Sequence, residues 1–124
     1  MPKFFKTCLI THTFDGNKFS FSKNIQDQIN CDILYDEVKI NYIAFNPAQE
    51  SDIIVNIYVP EFQQWLGTFY DSSKTWTASS YSINLEGRRV PHILTFKLVD
   101  NQDNTEFVSS NGDDIVIMLT FIKH

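Results

Sequence analysis

The sequence is poor in the residue types that most often announce chemistry. It has two cysteines, Cys8 and Cys31, 23 positions apart, with no CxxC pair and no neighbouring histidine. Structural zinc needs four Cys or His ligands as a rule, and this chain scatters its five such residues over the whole length, which argues against a zinc site. The two cysteines read more naturally as small buried apolar side chains, with a pairing between them left open. Three histidines are present, His12, His92 and His124, none beside a nucleophile motif, and no G-x-S-x-G occurs. Nothing therefore suggests a catalytic triad. No apolar run approaches the roughly 18 residues of a membrane span. The two-lysine start Met1-Pro2-Lys3-Phe4-Phe5-Lys6-Thr7-Cys8-Leu9-Ile10-Thr11 is broken by Lys6, Thr7 and Thr11, so it reads as a first strand rather than a secretory signal, and a cytoplasmic site of synthesis is expected. There is no basic block. Ten Lys and Arg stand against fifteen Asp and Glu, a net charge of -5, which disfavours sequence-independent nucleic-acid binding and gives no grip on anionic membranes. No repeat, low-complexity segment or linker divides residues 1–124, which are expected to form one domain.

What the chain has is strand pattern and aromatics. Eleven Phe, five Tyr and two Trp within a composition that is 43% hydrophobic supply a packed interior for 124 residues. Strands are predicted over Lys3 to Phe14, Lys18 to Ser22, Cys31 to Tyr35, Glu37 to Phe45, Asp52 to Val59, Gln64 to Tyr70, Thr75 to Asn84, Pro91 to Val99, Thr105 to Val108 and Asp114 to Lys123. Asp15-Gly16-Asn17 is expected to close a tight hairpin between the first two, because Gly and Asn tolerate positive φ. Asn46-Pro47, Asp71-Ser72-Ser73, Glu86-Gly87 and Asn111-Gly112-Asp113 are expected to end further strands. Short helical turns are expected at Ser22 to Ile29 and after Pro60.

Side chains alternate faces along a strand, which predicts a core. Its members are Val38, Ile40 and Tyr42; Ile53, Val55, Ile57 and Val59; Leu94, Phe96 and Leu98; and Ile115, Ile117, Leu119 and Phe121. Trp65, Gly67 and Phe69 should share one face. The expected architecture is an all-β, single antiparallel β-sandwich of about eight strands, a jelly roll in preference to an immunoglobulin arrangement, for which the Cys-Trp-Cys pattern is missing. The last strand is apolar on both faces, with Val116, Met118 and Ile122 opposite the core set, so its outer side should be covered by something.

Candidate functional residues follow from exposure and stacking. Phe62, Trp65, Phe69, Tyr70, Trp76 and Tyr81 form the main aromatic concentration, at least half of it expected inside; Trp65, Tyr70, Trp76 and Tyr81, where exposed, would anchor a protein interface or stack on sugar rings. Arg88 and Arg89 place two charges in one loop, where an anion clamp is conceivable but an ordinary surface role is the simpler reading. Met118 and Ile122 complete the candidate surface. The carboxylates Glu61, Glu86, Asp113 and Asp114 are expected to be solvated turn residues rather than a glycosidase pair. The run Asp100-Asn101-Gln102-Asp103-Asn104 lacks the glycine and closing glutamate of a calcium loop.

The C-terminal third, with a strand ending at Val99-Asp100, an Asp/Asn-rich tip, Phe107, the turn Asn111-Gly112-Asp113 and a final strand Ile115 to Ile122, resembles the end of jelly-roll minor capsid or penton-type proteins of double-stranded DNA viruses. The resemblance covers residues 90 to 124, and the chain is shorter than such pentons usually are. It implies a non-enzymatic structural protein without cofactor. Such a protein would associate with itself and with other capsid proteins, and would be made in a host cytoplasm and carried into a virion. The competing expectation is a carbohydrate- or ligand-binding sandwich.

Overall fold

A computed structural model of the chain describes residues 4–16, 18–46, 53–71, 75–78, 82–100, 105–107 and 111–124, with the backbone alone at 53, 70–71 and 75–78. Ten strands occur among the described residues: β1 (Phe4–Thr13), β2 (Ser20–Asn24), β3 (Leu34–Asn46), β4 (Ile53–Val59), β5 (Gln64–Asp71), β6 (Thr75–Ala78), β7 (Ser82–Arg89), β8 (Ile93–Asp100), β9 (Thr105–Glu106) and β10 (Asp114–Lys123). They form two antiparallel sheets. One runs β1-β10-β3, with β6 and β7 sharing the far side of β3; the other runs β2-β8-β4-β5, with β9 beside β8.

The pairing of early strands with late ones identifies the topology. β1 pairs with β10, β2 with β8, β3 with β6 and β7, and β4 with β5. That is a ribbon of four antiparallel pairs folded at the β4–β5 turn. Wrapping this ribbon brings β10 against β3 and β8 against β4, and two sheets result. Two interlocked Greek keys of this kind are a jelly roll. The chain is thus the expected all-β antiparallel sandwich.

The interior comes from one face of each sheet. Val38, Ile40, Val55, Ile57, Val59, Leu94, Phe96, Leu98, Ile115, Ile117, Leu119 and Phe121 are all buried, as the alternation predicts. Phe45 stacks on Phe69 across the two sheets at 4.4 Å. Gly67 faces inward, and a Cβ there would come to 3.0 Å from Ile43 Cδ1, so the sheets touch closely at this point and Ile43 would have to shift to admit a larger residue.

Several expectations need correction. Tyr42 is not in the core: the β3/β10 register shifts between Met118 and Leu119, so the buried positions of β3 run 38, 40, then 43, 45, and Tyr42 turns outward. A shift between Ile57 and Tyr58 likewise puts Trp65 outside while Phe69 stays inside. Cys31 to Tyr35 is not a separate strand; β3 starts at Leu34 and runs through to Asn46. The Asp15-Gly16 turn, where Gly16 has φ +86, carries the chain from one sheet to the other and closes no hairpin. Glu86 and Gly87, both at positive φ, sit inside β7 as an irregularity against Tyr35–Glu37 instead of ending it. The segment after Ser22 continues as strand to Asn24 and then turns, with Gln28 N–H and Ile29 N–H donating to the Ile25 carbonyl. Pro60 opens a turn in which Phe62 N–H and Gln63 N–H donate to Val59 and Pro60, not a helix. Ile53 belongs to β4 but its side chain, like residues 101–104 of the acidic tip and Val108, lies outside the described set.

Candidate assembly surface

The register of β1, β10 and β3 places an outward-facing grid on one sheet. Odd residues of β1 point away from the core, and they stand opposite the even residues of β10. The successive rows are Phe5–Ile122–Glu37, Thr7–Thr120–Lys39, Leu9–Met118–Tyr42, Thr11–Val116–Ala44 and Thr13–Asp114–Asn46. The two rows led by Leu9 and Thr11 contain no charge; Glu37, Lys39 and Asp114 lie toward the periphery. Phe5 is 63% exposed and Leu9 43%, large apolar groups that cost free energy when left in water. Thr7 Oγ1 and Thr120 Oγ1 are 3.2 Å apart and Thr120 donates to Asn41 Oδ1 at 2.7 Å, so the two hydroxyls of the row between the apolar ones are satisfied within the sheet, and the charge of that row, Lys39, stands exposed at its β3 end. A partner could therefore cover this face without stripping those hydroxyls of their hydrogen bonds.

Gln28 fixes the edge of the same sheet. Leu9 N–H donates to Gln28 Oε1 at 2.7 Å, and Gln28 Nε2 donates back to the Leu9 carbonyl at 2.7 Å. The side-chain amide stands where the peptide of a further strand would be. Because both Leu9 backbone groups point off the sheet, the Leu9–Met118 pair is of the non-hydrogen-bonded kind, in which the side chains approach most closely.

Of the residues named from the sequence, Met118 and Ile122 lie on this face, half-buried among their neighbours. The others do not join them. Trp65 is 44% exposed on the outer side of the opposite sheet, and Arg88 and Arg89 lie at the end of β7. Arg88 Nε donates to the Leu85 carbonyl at 2.9 Å, a local main-chain contact. Tyr70 and Trp76 are described by backbone only, in β5 and β6, and Tyr81 lies outside the described residues. Sequence reasoning missed Phe5, Leu9, Tyr42 and Gln28. Phe5 and Leu9 were legible as apolar residues out of phase with Cys8 and Ile10; Gln28 carried no local signal.

Around Trp65 the geometry is less suited to ring stacking. A shallow cleft of about 320 Å³ is lined by Asn56, Trp65, Gly67 and Thr68. Tyr58 meets the Trp65 ring at 64° with centroids 5.1 Å apart, so the two do not form one flat platform.

Three of the four candidate acids, all but Glu86, are engaged by the fold. Glu61 accepts the Thr95 N–H at 2.8 Å and Asp114 accepts the Thr13 hydroxyl. Asp113 is buried, where solvation was expected. His124 Nε2 lies 3.3 Å from Glu37 Oε1 at the exposed end of β10. Among the described residues no cluster of three or more His, Cys, Asp or Glu could hold a metal ion.

The class of protein that this topology defines is the jelly-roll β-sandwich. No family model matches the chain, and no curated protein matches it in sequence. Among solved structures it is similar to the Drosophila NLP core, whose structure is described as giving insight into pentamer formation and histone binding. That likeness has 11% identity over 96% of this chain and 97% of the other, with a TM-score of 0.47. The coat protein dimer of Tobacco streak virus is similar at 7% identity over 96% and 87% of the two chains, TM-score 0.35. The nora virus structure is similar at 15% identity over 94% and 55%, TM-score 0.33. Viral capsid proteins are thus among the structural neighbours. At TM-scores below 0.5 none of these likenesses carries weight for function, which has to be read from the chain's own surface.

Proposed function

We propose that this chain is a structural assembly module that associates with further copies of itself through the outer face of the β1–β10–β3 sheet. The observation that carries the reading is the uncovered apolar grid itself: Phe5 against Ile122 and Leu9 against Met118, with uncharged rows at its centre. Burying it between copies recovers the free energy of apolar surface left in water, and each further copy offers a face of the same kind. The finer reading is a capsid component of the double-stranded DNA virus type, made in a host cytoplasm, meeting other capsid proteins and working by association without turnover. It rests on the resemblance of residues 90–124 together with the jelly-roll topology.

Light scattering over a dilution series tests it. The expected result is a closed oligomer that holds to low micromolar concentration and falls to a monomer in the double variant Leu9→Glu with Met118→Lys, whose outward positions leave the melting temperature within a few degrees of the parent. A parent chain that is monomeric throughout would defeat the reading and make glycan screening against Trp65→Ala the next experiment.

A further inference from the structure

Both cysteines are buried in the core, and the two hydrogen bonds between Leu9 and Gln28 tie the strand that carries Cys8 to the turn that carries Cys31. Cys8 is the inward-facing residue beside Leu9, whose backbone is clamped by Gln28, and Cys31 follows Gln28 by three residues. Phe4 and Lys6, the inward-phase neighbours of Cys8 on β1, line an open cleft of about 620 Å³ together with residues 26–32, and Cys31 is one of its walls. Tyr35, fully buried, packs on Phe4 at 6.4 Å and on Phe121 at 5.5 Å. The Cys31 thiol donates a long hydrogen bond to the Pro91 carbonyl, at 3.9 Å. Burial pushes the Cys8 thiol up to about 11 and Cys31 adds to that rise, as expected of two sulfurs within electrostatic reach.

We propose that Cys8 and Cys31 are a redox pair that a small-molecule disulfide converts to an intrachain disulfide, tying edge strand β1 covalently to the 25–33 turn. Cys31, which lines the cleft where Cys8 does not, reacts first: its thiolate attacks one sulfur of oxidised glutathione, the glutathione S–S bond breaks, and one glutathione thiolate leaves. The Cys8 thiolate then attacks Cys31 Sγ, the Cys8–Cys31 bond forms, and the second glutathione leaves. Two protein thiols lose two electrons and two protons, and one glutathione disulfide becomes two thiols. The bond would do covalently what Gln28 does by hydrogen bonds, and would stiffen the strand that carries Phe5 and Leu9. The pairing does not depend on the association reading, since its readout is the thiols themselves.

The folded full chain is incubated with oxidised glutathione at about pH 8.5, where thiolate is more abundant than at neutrality, and followed by intact mass and thiol titration. The expected product is a monomer chain lighter by about 2 Da with no free thiol, reversed by dithiothreitol, and with a melting temperature raised on the order of 10 °C because the cross-link closes a long loop. The Cys8→Ser variant is expected to stop at the Cys31–glutathione adduct. A lasting mixed disulfide on the parent chain would overturn the proposal. So would two thiols that stay unreacted in the folded chain while the urea-unfolded chain oxidises.

Discussion

The imidazole of His12 lies flat on the Phe21 ring, 4.4 Å between centroids and 4° from parallel, with Phe14 edge-on at 4.8 Å. The strand predicted over Lys3 to Phe14 contains this residue; the tertiary fold makes it a half-buried wedge between the two sheets. Burial lowers its pKa below 6.5, and the nearby Lys23 ammonium lowers it further, while Asp114 lines the same cleft on the other side. The unfolded chain therefore takes up a proton near pH 6.5 that the folded chain still refuses. In that window the unfolded state binds more protons, so stability rises with pH; it is fully present above 6.5 and lost as pH falls through the folded value. Urea midpoints should drop between about pH 7 and pH 5 in the parent and drop less in His12→Phe. Parallel curves for the two proteins would show that His12 stays accessible to protons in the fold.

At the scale of elements, β1 is the exposed edge of its sheet, and an open edge invites pairing with another chain. Gln28 occupies that edge at Leu9 with two hydrogen bonds of 2.7 Å. Replacing Gln28 with Ala should cost about 1–2 kcal/mol and, more specifically, release the Leu9 amide to fast hydrogen exchange while the Ile10 amide, inside the β1–β10 ladder, keeps its protection. Equal exchange at Leu9 in parent and variant would mean the amide clamp does not hold in solution. The strands themselves were legible because alternation is a local property: Leu94, Phe96 and Leu98, or Ile115 to Phe121, announce a buried face in every second letter. Tyr42 and Trp65 were misplaced because a register shift changes the phase of a strand, and that shift is set by the neighbouring strand's register rather than by the residues on either side.

For the whole molecule, the jelly roll joins the ends of the chain: Phe4 pairs with Lys123 and Thr13 with Asp114. β10 is the central strand that both β1 and β3 need, so a chain ending at Asp113 should fail to fold cooperatively, losing its thermal transition and its sheet circular dichroism. A sharp melt in that truncated chain would show that the remaining strands suffice. The sequence by itself determined the β class, the antiparallel sandwich and most of its core, because those depend on residue size and alternation within each strand. It also marked the outward apolar residues Met118 and Ile122. Only the tertiary structure decided which strands lie side by side, and so only it could set Phe5 and Leu9 beside Ile122 and Met118, bring Gln28 to the Leu9 backbone, and gather Cys8 and Cys31 in one core. Each of these contacts joins residues far apart in the chain, and closing such loops depends on the packing of the whole fold, not on any local preference.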